Sequence, residues 1–340
     1  MKMYDKNGWV NWNYLYPRCE AFMPVIGARG TGKTFGLLQY LVKRKIKFIY
    51  LRRLQAHLDS CMEGAGNPFQ SVNAANHWNI TAYRKKNSIS FEHAEPDQDG
   101  KLHSTGDRVA FGIALSTMAT IRGADFSDYD CIVFDEFIGM EGERPIKSEF
   151  QSFLNLYETV NRNRELLGKP AVKCFMLGNA NKLGNPYLTG WGLMKTALSM
   201  IRCNQMITTK NGVTLVMLTQ SPISERKRDT ALYKAANQDF ISMALDNAFR
   251  TDATNIKSRR LTDYIHLCSI GEIGIYRRKQ GGEWYVSAKT QKDRYYQPYG
   301  IHMKQFRHDW YMLKTLYMSK RIIFESYECE MIMREYLDIK

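Results

Sequence analysis

The chain reads as an α/β protein built on a mainly parallel sheet, and three features say so. An eight-residue G-x-x-x-x-G-K-T pattern, Gly27-Ala28-Arg29-Gly30-Thr31-Gly32-Lys33-Thr34, joins an apolar run to a helical stretch; short apolar runs alternate with helical stretches; and one run ends in two adjacent acids. FMPVI, from Phe22, is the first buried strand, and TFGLLQYLVKR after the loop sets Phe35, Leu38, Leu41 and Val42 at helical spacing. IKFIYL, Ile46 to Leu51, is the next strand, so the opening is a βαβ unit, which requires a parallel pair. Residues 56 to 129 are polar and turn-rich, and within them ISF and RVAFGIAL flank EPDQDG, the pattern of an inserted hairpin. CIVF (Cys131 to Phe134) and KCFML (Lys173 to Leu177) supply further strands, with FQSFLNLYETVNRNREL helical between them. This alternation, with helices on both faces of the sheet, defines a first domain over residues 1–205.

Beyond it the rhythm changes. Residues 206–255 interleave charge with helix formers, as in SERKRDTALYKAANQDF, and read as a linker or small helical subdomain. Residues 256–340 read as a small, basic α+β domain. There LTDYIHLCSI is followed by GIYRRK and EWYVSAK, joined through Gln280-Gly281-Gly282 as a hairpin, and two helical stretches close the chain.

A chain of 340 residues, 44% hydrophobic, can bury a sizeable core and exceeds one average domain. Lys+Arg 48 against Asp+Glu 34 gives a formal charge of +14, a field that attracts polyanions, nucleic acid first among them. The seven cysteines are scattered without a C-x-x-C pair, which argues against a zinc site or a disulfide framework and for reduced thiols. No apolar run approaches the roughly 18 residues that span a bilayer, and the opening MKMYDKNGWVNWNY lacks a signal-peptide core, so no membrane role is expected.

The glycine-rich pattern is a phosphate loop. Its glycines let backbone N–H groups turn onto phosphates, and the helix behind it adds its positive end. Gly27, Ala28, Arg29, Gly30, Thr31 and Gly32 would cradle ATP, Lys33 would neutralise the β- and γ-phosphates, and Thr34 would ligate Mg²⁺. A second acid for the metal belongs at the end of another buried strand, where CIVFDEF offers Asp135; Glu136 beside it is placed to activate the attacking water. Asn179, after KCFMLG, is a candidate to sense the γ-phosphate, with Asn181 the alternative. Arg162 and Arg164, the latter favoured, are candidates for a finger reaching a neighbouring subunit's nucleotide. Arg52 and Arg53 after the second strand, and Arg122 in TIRGADF, read by spacing as surface residues, and Tyr14 and Tyr16 are weak candidates for the adenine pocket.

In VIGARGTGKT, FIYLRR, IVFDEF, FLNLYETVNRNRE, LGNANKLGNPY and, more faintly, ALDNAF, the first 250 residues resemble the DNA-packaging (encapsidation) ATPases of small podophages of the Picovirinae, relatives of the large terminases. The resemblance implies a P-loop ATPase domain of the ASCE type and a C-terminal domain like a reduced RNase H-like nuclease without its metal cluster. It implies a motor that spends ATP, with Mg²⁺, on driving double-stranded DNA through a portal protein into a preformed capsid. Such a motor works as a homomeric ring, usually a pentamer, in some cases with a structural packaging RNA, in the host cytoplasm at the portal vertex and not in the mature virion. By the same resemblance Lys33 and Thr34 are nucleotide ligands, Asp135 the metal acid, Glu136 the catalytic acid, Arg164 the trans finger and Arg122 an intersubunit or coupling residue. Residues 256–340 carry sixteen Lys+Arg and ten Asp+Glu, with only Asp263 and Glu272 as metal acids in strand-like runs, so cleavage is not expected. Arg277, Arg278 and Lys279, with Tyr276, Trp284 and Tyr285 nearby, suit contact with a phosphate backbone or an RNA. A P-loop helicase, an ATP-switched DNA-binding protein and a P-loop kinase are the rival readings.

Overall fold

The computed structural model describes the chain except residues 1, 63, 122–124, 141–142, 144–145, 181–183, 220, 237–254, 297–300 and 340. Arg122, Asn181 and the ALDNAF stretch therefore lie outside the described residues. The chain divides into two compact units. One comprises Met1–Gly139, Ser152–Asn181 and Asn204–Ala248, the other Met140–Gln151, Lys182–Cys203 and Phe249–Lys340. Segments 140–151 and 182–203, which the sequence groups with the first domain, thus belong to the second unit.

Among its described residues the first unit holds nine strands: β1 (Phe22–Gly27), β2 (Phe48–Arg52), β3 (Ile80–Lys85), β4 (Ser88–Pro96), β5 (Leu102–Ala114), β6 (Cys131–Asp135), β7 (Lys173–Gly178), β8 (Ile207–Lys210) and β9 (Val213–Leu218). They form one sheet in the order β3-β4-β5-β2-β6-β7-β1-β9-β8. The six strands from β5 to β9 in that order pair in parallel, while β3, β4 and β8 add antiparallel edges. Strands β6 and β9 are buried at every position, the near-continuous apolar pattern of strands covered on both faces.

Two expectations change here. The hairpin β4–β5 is an extension of the main sheet, because the carboxyl half of β5 pairs with β2. The stretch expected as linker or helical subdomain carries β8 and β9, and β9 pairs directly with β1 before the short helices Pro222–Lys227 and Ala231–Ala235 follow. The physical reason is burial: VTLVML offers six successive residues to the core, and Asn211-Gly212, both at positive φ, turn the chain into it.

The helix Lys33–Lys43 follows directly on the loop. It buries Lys33, Leu37, Leu38 and Leu41, so Phe35, expected on the inner face, is exposed and Leu37 takes its place. Under the sheet, Trp12 and Tyr16 pack on Phe175, and Phe48, Phe69 and Phe91 interlock.

In the second unit β10 (Tyr264–Ile270), β11 (Ile273–Arg278) and β12 (Trp284–Ser287) form an antiparallel meander, and β13 (Ile322–Phe324) adds to β12 in parallel. Asn185 caps the helix Pro186–Gly190 by accepting from the backbone N–H groups of Tyr187 and Leu188, and Tyr187 donates to the buried Glu149 at 2.9 Å. The NPY of the sequence is thus a helix start. All seven cysteines are free, six of them buried. Among the described residues no helix is long and apolar enough to cross a membrane.

Candidate active site

Strand order decides which side chains meet. β2, β6, β7 and β1 are consecutive in the sheet, and their last residues are Arg52, Asp135, Gly178 and Gly27. Register aligns these ends, with Leu51 opposite Phe134, Asp135 opposite Leu177 and Ile26 opposite Gly178. Open α/β sheets place ligands at this carboxyl edge.

The loop between β1 and the helix Lys33–Lys43 depends on Gly30 and Gly32, whose φ values of 70° and 82° are left-handed. The amino-terminal segment steadies it: Val10 N–H donates to the Thr31 carbonyl at 3.2 Å, and the Trp12 indole donates to the Lys33 carbonyl at 3.1 Å. Lys33 folds back over the loop, its Nζ donating to the carbonyls of Gly27 and Ala28 at 2.9 and 2.8 Å and to Asn179 Oδ1 at 3.3 Å. Burial pushes the Lys33 ammonium down to about pKa 7; Asp135 opposes that shift, while Lys227 and Arg29 add to it. Asn179 is therefore beside the loop, as its position after β7 predicts.

Asp135 is the junction of the site. Its Oδ1 accepts from Thr34 Oγ1 at 2.8 Å, and its Oδ2 accepts from Tyr50 Oη at 2.8 Å and from Arg52 at 3.3 Å. Glu136, next along, has φ 53°, a left-handed conformation costing a non-glycine residue on the order of 1–3 kcal/mol. That backbone turns its half-exposed carboxylate out of the strand to meet Arg52 Nη2 at 2.5 Å. Phe137 N–H donates back to the Leu177 carbonyl at 3.2 Å, holding the turn. Thr34 Oγ1 and the Asp135 carboxylate are hard oxygen donors facing one another beside a phosphate loop, a set that fits Mg²⁺ held partly by phosphates.

The arginine pair separates. The helix Glu149–Asn161 stops where Arg162 turns left-handed, at φ 45°. Arg162 lies 3.6 Å from Asp125 with about half its side chain exposed (48%). Arg164 is 12% exposed and tied into its own chain, at 2.5 Å from Asp130 and 3.2 Å from the carbonyls of Tyr129 and Pro170. Asp130 precedes β6, so Arg164 is at the amino edge of the sheet, roughly 16 Å of strand from Asp135. It lines a cavity of 380 Å³ there with Tyr16, Lys169 and Lys173.

Several readings by spacing are corrected. Arg52 is no surface residue; it bridges both acids, because β2 lies next to β6. Arg53 is buried. Tyr16 stacks on Phe175 and lines the amino-edge cavity, and Tyr14 lies under Arg18 at 3.7 Å. An exposed aromatic ring at the loop is Trp9, 42% exposed, which a Cβ on Gly32 would meet at 3.0 Å. In the second unit Arg277, Arg278 and Lys279 are exposed, but Tyr276 and Tyr285 are buried against Tyr264 and only Trp284 is partly open.

The sequence profile of the podovirus DNA encapsidation proteins (Gp16) matches residues 4–315. The chain belongs to that family. It is accordingly a phage DNA-packaging ATPase, and an enzyme that takes ATP. It is 27% identical to the DNA packaging protein of Bacillus phage phi29 over 252 residues, 72% of this chain and 67% of that protein. Two solved structures share its fold: the Phi-28 gp11 DNA packaging motor, at 19% identity and TM-score 0.63 over 99% of each chain, and the bacteriophage Phi-29 genome packaging motor assembly, at 18% identity and TM-score 0.58 over 96% of each.

The contrast between the arginines has a direct consequence. Replacing Arg164 by Ala leaves Asp130 and the carbonyls of Tyr129 and Pro170 without their donor and should cost about 1–3 kcal/mol. Replacing Arg162 by Ala should cost under about 1 kcal/mol, since its pair is exposed. Urea unfolding of the two variants measures this; equal costs would contradict the placement.

Proposed function

We propose that this packaging ATPase hydrolyses ATP at the carboxyl edge of β1, β7, β6 and β2 and uses it to drive double-stranded DNA through a portal protein. The observation that carries this reading is the 2.8 Å hydrogen bond from Thr34 to Asp135, which joins the phosphate loop to an acid 101 residues later. The order β2-β6-β7-β1, with β7 between the loop strand and the acid strand, supports the ASCE assignment.

In this reading the backbone N–H groups of residues 28–34 take the phosphates, Lys33 moves from the Gly27 and Ala28 carbonyls onto them, and Trp9 offers its indole to the base. Mg²⁺ held by Thr34 and Asp135 supplies charge neutralisation at the phosphates. Glu136 accepts a proton from the attacking water once Arg52 releases it, and Asn179 orients that water. Arg52 positions the two acids.

Arg162, 48% exposed against 12% for Arg164, is the better placed to act in trans: its 3.6 Å pair with Asp125 is open to solvent, whereas Asp130 holds Arg164 at 2.5 Å. A finger from a neighbour implies a homomeric ring, which we take to be a pentamer as the family resemblance suggests. The mixed sheet β10–β13 supports reading the second unit as a reduced RNase H-like domain, and its exposed Arg277, Arg278 and Lys279 suit DNA or a structural packaging RNA through phosphates.

Steady-state hydrolysis tests the assignment of the base. Glu136→Gln should keep nucleotide binding and lose about 10²–10⁴ of the DNA-stimulated rate; a variant as active as the parent would contradict it. A second check is protonic. The nucleotide-free Lys33 is held at about pKa 7, and phosphates favour its charged form. Between that value and the ordinary lysine pKa the free protein holds fewer protons than the complex, so binding takes up a proton and weakens as pH rises through this window. Calorimetry at about pH 8.5 in buffers of different ionisation enthalpy reads the uptake; release, or no exchange, would contradict it.

A further inference from the structure

A second lysine stands at the phosphate loop, and the phosphate-loop pattern does not account for it. Lys227 ends the helix Pro222–Lys227, which follows β9, and its Nζ donates to the Arg29 carbonyl at 2.7 Å. The ammonium lies directly against Gly30, close enough that a Cβ added there would collide with it. The neighbouring cations of the helix face elsewhere: Arg226 donates to the Asn7 carbonyl at 3.4 Å, and Arg228 pairs with Glu225 at 3.3 Å. Pro222 of the same helix packs against Gly8, so the helix touches both the loop and the amino-terminal turn that carries Trp9.

Resting on the phosphate-loop reading above, we propose that Lys227 is a second phosphate ligand, which leaves the Arg29 carbonyl for the phosphate oxygens of a bound nucleoside triphosphate. Geometry and charge both point there. Lys33 and Lys227 approach one loop from two elements, and each ammonium is satisfied by loop carbonyls that a phosphate would replace. Burial lowers the affinity of both for protons, and Lys227 lowers that of Lys33 further. Two cations crowded at a glycine-rich loop disfavour each other until a polyanion arrives.

The experiment measures binding of a fluorescent ATP analogue to the full chain and to Lys227→Ala, Lys227→Gln, Lys227→Arg and Lys33→Ala, with nucleotide-free thermal unfolding alongside. Gln keeps a donor for the Arg29 carbonyl while removing the charge, so it separates a structural role from a phosphate contact. The Ala and Gln variants should bind about 10- to 100-fold more weakly, with Arg within a few-fold of the parent and the nucleotide-free melting temperature of Gln unchanged. Parent-like binding by Lys227→Gln, with binding lost in Lys33→Ala, would overturn the role of Lys227 alone. Parent-like binding by Lys33→Ala would overturn the phosphate-loop reading and this inference with it.

Discussion

The site depends on one carboxylate. Asp135 accepts from Thr34 on one oxygen and from Tyr50 and Arg52 on the other, so β6 is tied to the loop helix and to β2 at a single side chain that is 11% exposed. A charge so buried is tolerable only because it is paired and fully hydrogen-bonded. Removing it would leave the Arg52 guanidinium, the Tyr50 hydroxyl and the head of the Lys33–Lys43 helix without their common partner. Burial and that carboxylate together hold the Tyr50 hydroxyl well above its ordinary pKa, which keeps it a donor.

Around this junction the free protein is arranged for an anion. Lys33 and Lys227 are held by loop carbonyls, and Glu136 is strained into a left-handed turn and neutralised by Arg52. The two lysine contacts are ones that a phosphate can exchange for ion pairs. Glu136 is held differently, by a left-handed backbone and a 2.5 Å ion pair that occupies the candidate base. The same economy explains why Arg164, at the amino edge and bonded to Asp130, reads as part of the scaffold in its own subunit.

What was legible in sequence is what short-range geometry fixes. Lys33, Thr34 and the loop glycines form a contiguous device, and Asp135 and Asn179 end apolar strands, so their places follow from local pattern. Arg52, Tyr50, Trp9 and Lys227 were not legible, because their roles come from strand order: β2 beside β6, and β9 beside β1. The buried β9 is hard to see in the sequence, although Asn211-Gly212 before it is a hairpin signal, because charged helices follow directly on its apolar run. Tyr276 and Tyr285 stand beside basic residues in the sequence, but the fold turns them into the core and leaves Arg277, Arg278 and Lys279 outside.

In the function proposed above, Thr34 and Asp135 frame the metal and phosphates of one bound nucleotide. A structure of the full chain with Mg²⁺ and a non-hydrolysable ATP analogue tests it most directly. Phosphates should lie on residues 28–34, with a cation replacing the Thr34–Asp135 hydrogen bond as the link between the two side chains. A nucleotide bound elsewhere, or a Thr34–Asp135 hydrogen bond unchanged beside an occupied loop, would contradict it.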